Sequence, residues 1–200
     1  MAVVLFKIFG LFRLKGGDSV LSENRILEIE RAAWNALNEI GVNSELDFPM
    51  VPTQLAEHWK IPIEEVRFKD PNISGAISRN NGGVVILVNE WDATVRKRFT
   101  IAHELGHYVL HLNQDPNGFP DDRVDYKRTL FDGRSHTPEE EEANRYAAAL
   151  LMPAPILGKI LARGENSIQD LLGMFGVSEE AMSIRLNTLR RMPELLHEFR

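Results

Sequence analysis

The five residues His103-Glu104-Leu105-Gly106-His107 constrain this chain most, because two histidines at this spacing share one metal ion when they stand on a helix. Residues four apart on an α-helix lie on the same face, about 6 Å apart along the axis. Zinc bonds histidine nitrogen at about 2.0–2.1 Å, and a catalytic zinc site has three protein ligands and a fourth position for water. The spacing therefore predicts a helix that presents His103 and His107 to a zinc ion.

Glu104 directly follows His103, so its carboxylate is expected beside the metal rather than on it. From that place a carboxylate can take a proton from a metal-bound water, which is the task of a general base. Ordinary half-buried histidines on an amphipathic helix are the alternative interpretation. The surroundings favour a helix, with Asp92 as a candidate cap and apolar residues at helical spacing: Val95, Phe99, Ala102, Gly106 and Val109.

A third ligand is predicted in the acidic run Glu139-Glu140-Glu141-Glu142, which begins a second helix that ends before Pro153. His111 continues the row of histidines, but about 12 Å of helical rise separates it from His103. One zinc ion cannot span that distance, since each ligand lies near 2 Å from the metal. His111 is therefore expected to pack against the helix end or to cap it.

Within the acidic run, Glu140 is the favoured ligand. Negative charge is favourable at a helix N-terminus, and Thr137, Pro138 and Glu140 form a capping-box pattern, so much of the run has a structural explanation. Asn144, however, follows Glu140 by one turn, where its side chain could orient a metal-binding histidine. A shift of one residue rotates a carboxylate by about 100°, so the other glutamates of the run stay open as alternatives: Glu139, Glu141 and Glu142.

Several stretches around these candidates share one known pattern. They are residues 73–76, 84–89, 98–108, 142–148, 150–153, 175–182 and 185–186. Together they cover roughly residues 45–190 and resemble the ImmA/IrrE family of zinc metallopeptidases. The resemblance implies that His103, His107 and the glutamate of the Glu-x-x-Ala-Asn stretch bind zinc, and that Glu104 is the catalytic glutamate.

The resemblance also implies the fold class and the function. The fold is expected to be α+β, a minimal zincin-like metallopeptidase domain with a small sheet beside the active-site helix, followed by a C-terminal helical region of helix-turn-helix type. The expected activity is zinc-dependent cleavage of a protein, a helix-turn-helix transcriptional repressor cut to relieve repression. A non-proteolytic module that binds a transcription regulator is the alternative. The intact Glu104 favours the peptidase, because a structural zinc site usually closes its fourth position with a ligand.

Composition limits the class of protein. The 200 residues, 44% of them hydrophobic, suit one domain or one domain with an appendage. We expect a leader at residues 1–21, the zincin-like domain at 22–157 and the helical region at 158–200. The absence of cysteine excludes disulfides and thiolate metal sites and fits a cytoplasmic protein. A net charge of −6 argues against a non-specific DNA binder and is compatible with a partner protein that itself binds DNA, as the resemblance implies.

Two segments have no assigned chemistry. The apolar stretch Met1–Phe12 lacks the features of a signal peptide and is too short to span a membrane. A packed element or a poorly ordered leader is expected, and attachment to a membrane surface is the less favoured alternative. Residues 113–136 form a connection long enough to act as a lid. Three side chains in it are unranked candidates for stabilising an oxyanion: Arg123, Tyr126 and His136.

Local patterns place further elements along the chain. They are a helix from Ser22 to a stop at Gly41, a short helix at 54–59, a strand at 63–68, hairpin strands at 73–78 and 84–89 around Asn80-Asn81-Gly82-Gly83, and a helix-turn-helix at 167–192 with Ser178 as a cap. A hairpin strand at the sheet edge could pair with an extended substrate, while the alternative has both strands inside the sheet. For the C-terminal helices, substrate recognition is favoured over direct DNA contact, because their charges are balanced.

Overall fold

A computed structural model describes residues 21–80, 83–112, 125–128, 137–164 and 167–197. Within these ranges the chain forms seven α-helices and four strands, which confirms the predicted α+β class. In chain order the elements are α1 (Glu23–Glu39), α2 (Pro52–His58), β1 (Ile63–Val66), β2 (Ile73–Asn80), β3 (Gly83–Asn89), α3 (Thr94–His107), β4 (Asp125–Arg128), α4 (Pro138–Leu151), α5 (Ala154–Arg163), α6 (Ile168–Phe175) and α7 (Glu179–Arg191). Short 3-10 helices cover Glu45–Asp47 and Pro193–Leu196, and a π-helical turn, Tyr108–Leu112, continues α3.

The four strands form one sheet in the order β1-β3-β2-β4. Strand β1 runs parallel to β3, and β2 runs antiparallel to both β3 and β4. The predicted hairpin is β2 and β3, with Ser78 opposite Val85 and Gly75 opposite Val88. Because β1 pairs with β3, and β4 pairs with β2 over Ile73–Ile77, the hairpin offers no free edge along those residues. The expectation of a substrate strand on the hairpin edge is wrong there, and both strands lie inside the sheet.

Residue contacts divide the chain into two compact units. The first unit contains the described residues up to Met50 and those from Ala148 onward. The second unit, Val51–Ala147, contains the sheet, α2, α3 and the first part of α4. In each unit the fully buried side chains are mainly aliphatic: Ile29, Leu37, Leu157 and Leu171 in the first, and Leu55, Ala76, Ile86 and Leu105 in the second.

Helix α1 begins and ends as the local sequence predicts. The Ser22 hydroxyl accepts a hydrogen bond from the Arg25 backbone N–H at 3.3 Å and caps the N-terminus. Past the C-terminus, Gly41 adopts a positive φ of 75°, which a glycine reaches without steric cost. Four apolar residues at helical spacing are buried: Ile26, Ile29, Ala33 and Leu37.

The same helix carries a buried charge that the hydrophobic pattern did not predict. Glu30 and Arg185 of α7 are 4% and 2% exposed. The Arg185 guanidinium donates from Nη2 to Glu30 Oε2 at 2.8 Å and from Nη1 to Oε1. Its Nε donates to the Met152 carbonyl oxygen, also at 2.8 Å. This bidentate pair links α1, α7 and the residue after α4 inside the first unit.

Helices α6 and α7 form the predicted helix-turn-helix, with Ser167 and Ser178 as their N-caps. The hydroxyl and backbone N–H of Ser167 both donate to Asp170 Oδ2, and these hydrogen bonds lower the pKa of Asp170. The apolar positions Leu171, Phe175 and Met182 are buried, as expected for a small helical core.

Some predicted features lie outside the described residues. They are residues 1–20 of the leader, most of the 113–136 connection with its proposed lid role, and the side chains of Arg123, Tyr126 and His136. Among the residues that are described, no single helix is long and apolar enough to cross a membrane. Helices α4 and α5, which are bent relative to each other, have together the required length and apolar composition, and these two properties are all that support a span.

Candidate metal centre

Helix α3 holds both histidines of the motif within the second unit. Its N-cap is Ala93, which makes no side-chain cap hydrogen bond, so the prediction that Asp92 caps the helix is wrong by one residue. Asp92 instead lies 3.7 Å from Arg96 as an ion pair. Most of the predicted apolar face is buried, whereas Val95 in the first turn is exposed.

Helix α4 brings Glu140 to these histidines. The Glu140 backbone N–H donates to the Thr137 hydroxyl at 3.4 Å, which supplies the predicted cap. The Glu140 carboxylate, which a capping box would direct toward Thr137, faces the histidines. Its Oε2 lies 3.4 Å from His103 Nε2, and its Oε1 lies 3.3 Å from His107 Nε2.

The two histidine nitrogens, His103 Nε2 and His107 Nε2, are 3.0 Å apart, and each lies near a different oxygen of the Glu140 carboxylate. One ligand atom from each of the three residues lies within 4.8 Å of the other two. Two ligands of a tetrahedral zinc ion, each about 2.1 Å from the metal, stand about 3.4 Å from one another. His103, His107 and Glu140 are only 1%, 3% and 6% exposed. Two imidazoles and one carboxylate at this spacing, shielded from water, could hold a metal ion.

The position of α4 shows which of the four glutamates faces the histidines, a choice that the sequence left open. Glu140 is the member of the run in the donor group. Glu141 Oε1 lies 3.3 Å from Arg145 Nη2, and Glu142 Oε2 lies 3.8 Å from His111 Nε2. Glu140 therefore meets the geometric requirement for a third ligand.

Asn144 contacts His103 at Nδ1, the ring nitrogen that does not face Glu140. Its Oδ1 lies 2.9 Å from His103 Nδ1. Because an amide oxygen only accepts hydrogen bonds, this contact favours the histidine tautomer with its proton on Nδ1. The Nε2 lone pair of His103 is then directed toward Glu140 Oε2 and His107 Nε2.

The glycine of the motif sets the distance between the two helices. A Cβ atom built on Gly106 would lie 3.1 Å from Tyr146 Cβ and 3.2 Å from the Cα and carbonyl oxygen of Ala143. The absence of a side chain at residue 106 therefore allows α3 and α4 to approach at this distance, and a methyl group there would push them apart by a few tenths of an ångström. This close approach lets Glu140 reach both histidines.

Glu104 is buried, with 1% of its surface exposed, and it lies close to β2. A Cβ atom built on Gly75 would be 3.4 Å from Glu104 Oε1, 2.9 Å from the Leu87 carbonyl oxygen and 2.3 Å from Thr100 Cγ2. Gly75 therefore provides the space that Glu104 and Thr100 occupy. The sequence analysis did not assign this role, although a glycine inside a predicted strand indicates close approach of another element.

We expect Gly75→Ala to destabilise the protein by about 1–3 kcal/mol, because the new methyl group overlaps Thr100 and the Leu87 carbonyl oxygen. The shifts that relieve this overlap should also move Glu104, whose Oε1 lies 3.4 Å from the new methyl group. Chemical denaturation measures the loss of stability. The matched control is Gly173→Ala in α6, where nothing lies within 4 Å of the added methyl group, so stability should stay equal or rise. A denaturation midpoint for Gly75→Ala equal to that of the parent would contradict the close contact.

Three comparisons relate this chain to known proteins. Residues 56–187 match the peptidase family described as the IrrE N-terminal-like domain. A stretch of 80 residues is 38% identical to the radiation response metalloprotease IrrE of Deinococcus radiodurans, covering 40% of this chain and 22% of that protein. A solved structure described as a Mycobacterium tuberculosis transcriptional regulator superposes with a TM-score of 0.51 and 18% identity, over 86% of this chain and 49% of that chain. At this identity the structural similarity concerns the fold alone.

Proposed function

Because the chain belongs to the IrrE N-terminal-like peptidase family, we propose that it is a zinc-dependent endopeptidase. The observation that carries the proposal is the buried group of His103, His107 and Glu140, whose ligand atoms lie within 4.8 Å of one another, beside the buried Glu104. The chain spans about a fifth of the curated relative and about half of the solved chain, so the activity is proposed from this chain's own residues.

In this proposal each polar side chain has one task. His103, His107 and Glu140 hold the metal, and Asn144 fixes the ring of His103 through the 2.9 Å contact. A bound zinc ion would polarise the scissile carbonyl and lower the pKa of a bound water. Glu104 accepts a proton from the attacking water and passes it to the leaving amine. Its burial excludes bulk water, which would otherwise compete for that proton.

The proposed substrate is a helix-turn-helix transcriptional repressor. The family resemblance supports this choice, and a chain of net charge −6 would attract a basic DNA-binding protein. Substrate recognition is assigned to α6 and α7, within the helical region predicted at residues 158–200. A repressor substrate would place the protein in the cytoplasm.

The metal assignment predicts loss of zinc from His103→Ala and from Glu140→Ala, because two ligands hold zinc far more weakly than three. Elemental analysis of the purified proteins measures the metal content. Both variants should also unfold at lower temperature than the zinc-loaded parent, since ligand binding to the native state stabilises it. Glu141→Ala is the matched control, because its carboxylate lies against Arg145. Full zinc retention in both ligand variants would contradict the site.

The activity is tested by incubating the parent with candidate repressors, with and without a zinc chelator, and by mapping any cut with mass spectrometry. Cleavage that stops with the chelator and returns with added zinc supports the proposal. A repressor that binds the protein but is never cut would favour the non-proteolytic alternative.

A further inference from the structure

A third histidine lies beside the candidate metal centre, on the π-helical turn Tyr108–Leu112. The ring centroids of His111 and His107 are 5.4 Å apart and the rings are tilted by 45°. The His107 ring centroid also lies 4.7 Å from that of His103, one turn earlier on the helix, in an edge arrangement. Both distances fall in the range of packed aromatic rings. His107 is therefore held between two other imidazoles.

His111 lies close to a side chain of α4. Its Nε2 lies 3.8 Å from Glu142 Oε2, and the two side chains are only 16% and 12% exposed. A nitrogen lone pair directed at a carboxylate would be repelled, so Nε2 carries the proton that faces Glu142. The separation exceeds that of a direct hydrogen bond, and the contact is electrostatic. With little water to screen it, this attraction favours the present direction of the ring.

We propose that His111 and Glu142 are positioning residues of the metal centre. Glu142 orients His111, and His111 keeps the His107 ring in the orientation that directs Nε2 toward His103 and Glu140. This inference rests on the proposed function, because it takes the two motif histidines to be metal ligands. Helix α4 would then control both ligand histidines, His103 through Asn144 and His107 through Glu142 and His111. A π-helical turn at this point fits the role, since such turns are frequent at functional sites.

The test compares zinc affinity, measured by competition with a chromophoric chelator, in the parent, His111→Ala, Glu142→Gln and the double variant. Loss of a group that orients a ligand lowers metal affinity by about 10–100-fold, and we expect a fall of that size for His111→Ala and a smaller one for Glu142→Gln. The double variant should bind no more weakly than His111→Ala, because the two side chains act as one unit. If His111→Ala folds poorly, Glu142→Gln, which keeps the size of the side chain, carries the test.

A spectroscopic measurement separates positioning from general stability. With Co²⁺ in place of zinc, the visible absorption bands report ligand geometry, and they should shift in His111→Ala. The metal-free variants should unfold at the same temperature as the metal-free parent. Glu141→Gln, which removes the same charge from the same helix, should bind as the parent does.

Unchanged affinity and an unchanged Co²⁺ spectrum in His111→Ala would overturn the inference. Equal weakening by Glu141→Gln and Glu142→Gln would also overturn it, because a general charge effect would then explain the result. A parent that binds zinc but cuts no protein would contradict the peptidase proposal alone, and the affinities would still decide the positioning role. A parent that binds no metal would contradict both.

Discussion

Replacing Glu104 with glutamine is expected to lower peptide hydrolysis by about 10²–10⁴-fold, which is the usual contribution of a general base. Glutamine has nearly the same shape and can still hydrogen-bond water, but it cannot take a proton from it. Glu104 is not a member of the donor group formed by His103, His107 and Glu140, so the metal content should not change. The measurement is the cleavage rate of a repressor substrate at equal zinc occupancy.

Glu104→Asp is the matched control for this experiment, because it keeps a carboxylate but draws it back by one methylene group. We expect it to retain more activity than Glu104→Gln, since a water molecule can bridge the remaining gap. If Glu104→Gln cuts as fast as the parent, another group is the base. The glutamine variant also serves as a substrate trap, because it should bind a repressor without releasing products.

A large loss of stability is expected when the buried ion pair of the first unit, Glu30 and Arg185, is broken. Glu30→Gln leaves the Arg185 guanidinium buried without its countercharge, and breaking such a pair from one side costs about 3–5 kcal/mol. Whole proteins of this kind are stable by about 5–15 kcal/mol, so the denaturation midpoint should fall sharply. Urea denaturation of the variant and the parent measures the difference.

Two comparisons test the cause of that loss. Glu45→Gln breaks the ion pair with Arg163, whose members are more exposed, and it should leave the midpoint almost unchanged. The double variant Glu30→Leu with Arg185→Met removes both buried charges and should recover much of the lost stability. A midpoint for Glu30→Gln equal to that of the parent would show that the buried carboxylate contributes little.

This ion pair also bears on the limits of the family match. The matched range, residues 56–187, includes Arg185 but not Glu30. The last matched helix therefore relies on a carboxylate from α1, outside that range, to neutralise its buried guanidinium. A shortened protein that began at residue 56 would lack Glu30, and the Arg185 guanidinium would again be without its countercharge, as in Glu30→Gln.

The sequence by itself determined the features that depend on near neighbours. The spacing of His103 and His107 requires a helix for a shared metal, and α3 is present with both side chains on one face. The Asn-Gly signal predicted the β2–β3 hairpin, and Ser22 and Gly41 marked the limits of α1. Each of these signals acts over a few residues, through turn geometry, capping or helical periodicity.

The tertiary structure decided the features that depend on how distant elements pack. Which glutamate of the run faces the histidines follows from the crossing of α3 and α4 at Gly106, and no spacing within α4 contains that information. The hairpin strands lie inside the sheet because β1 and β4 flank them. Glu30 and Arg185 lie 155 residues apart, and Gly75 meets Thr100 from another element. Such contacts depend on the relative rotation and separation of whole helices and strands. Close packing in the core sets these quantities, and the order of residues along one element does not encode them.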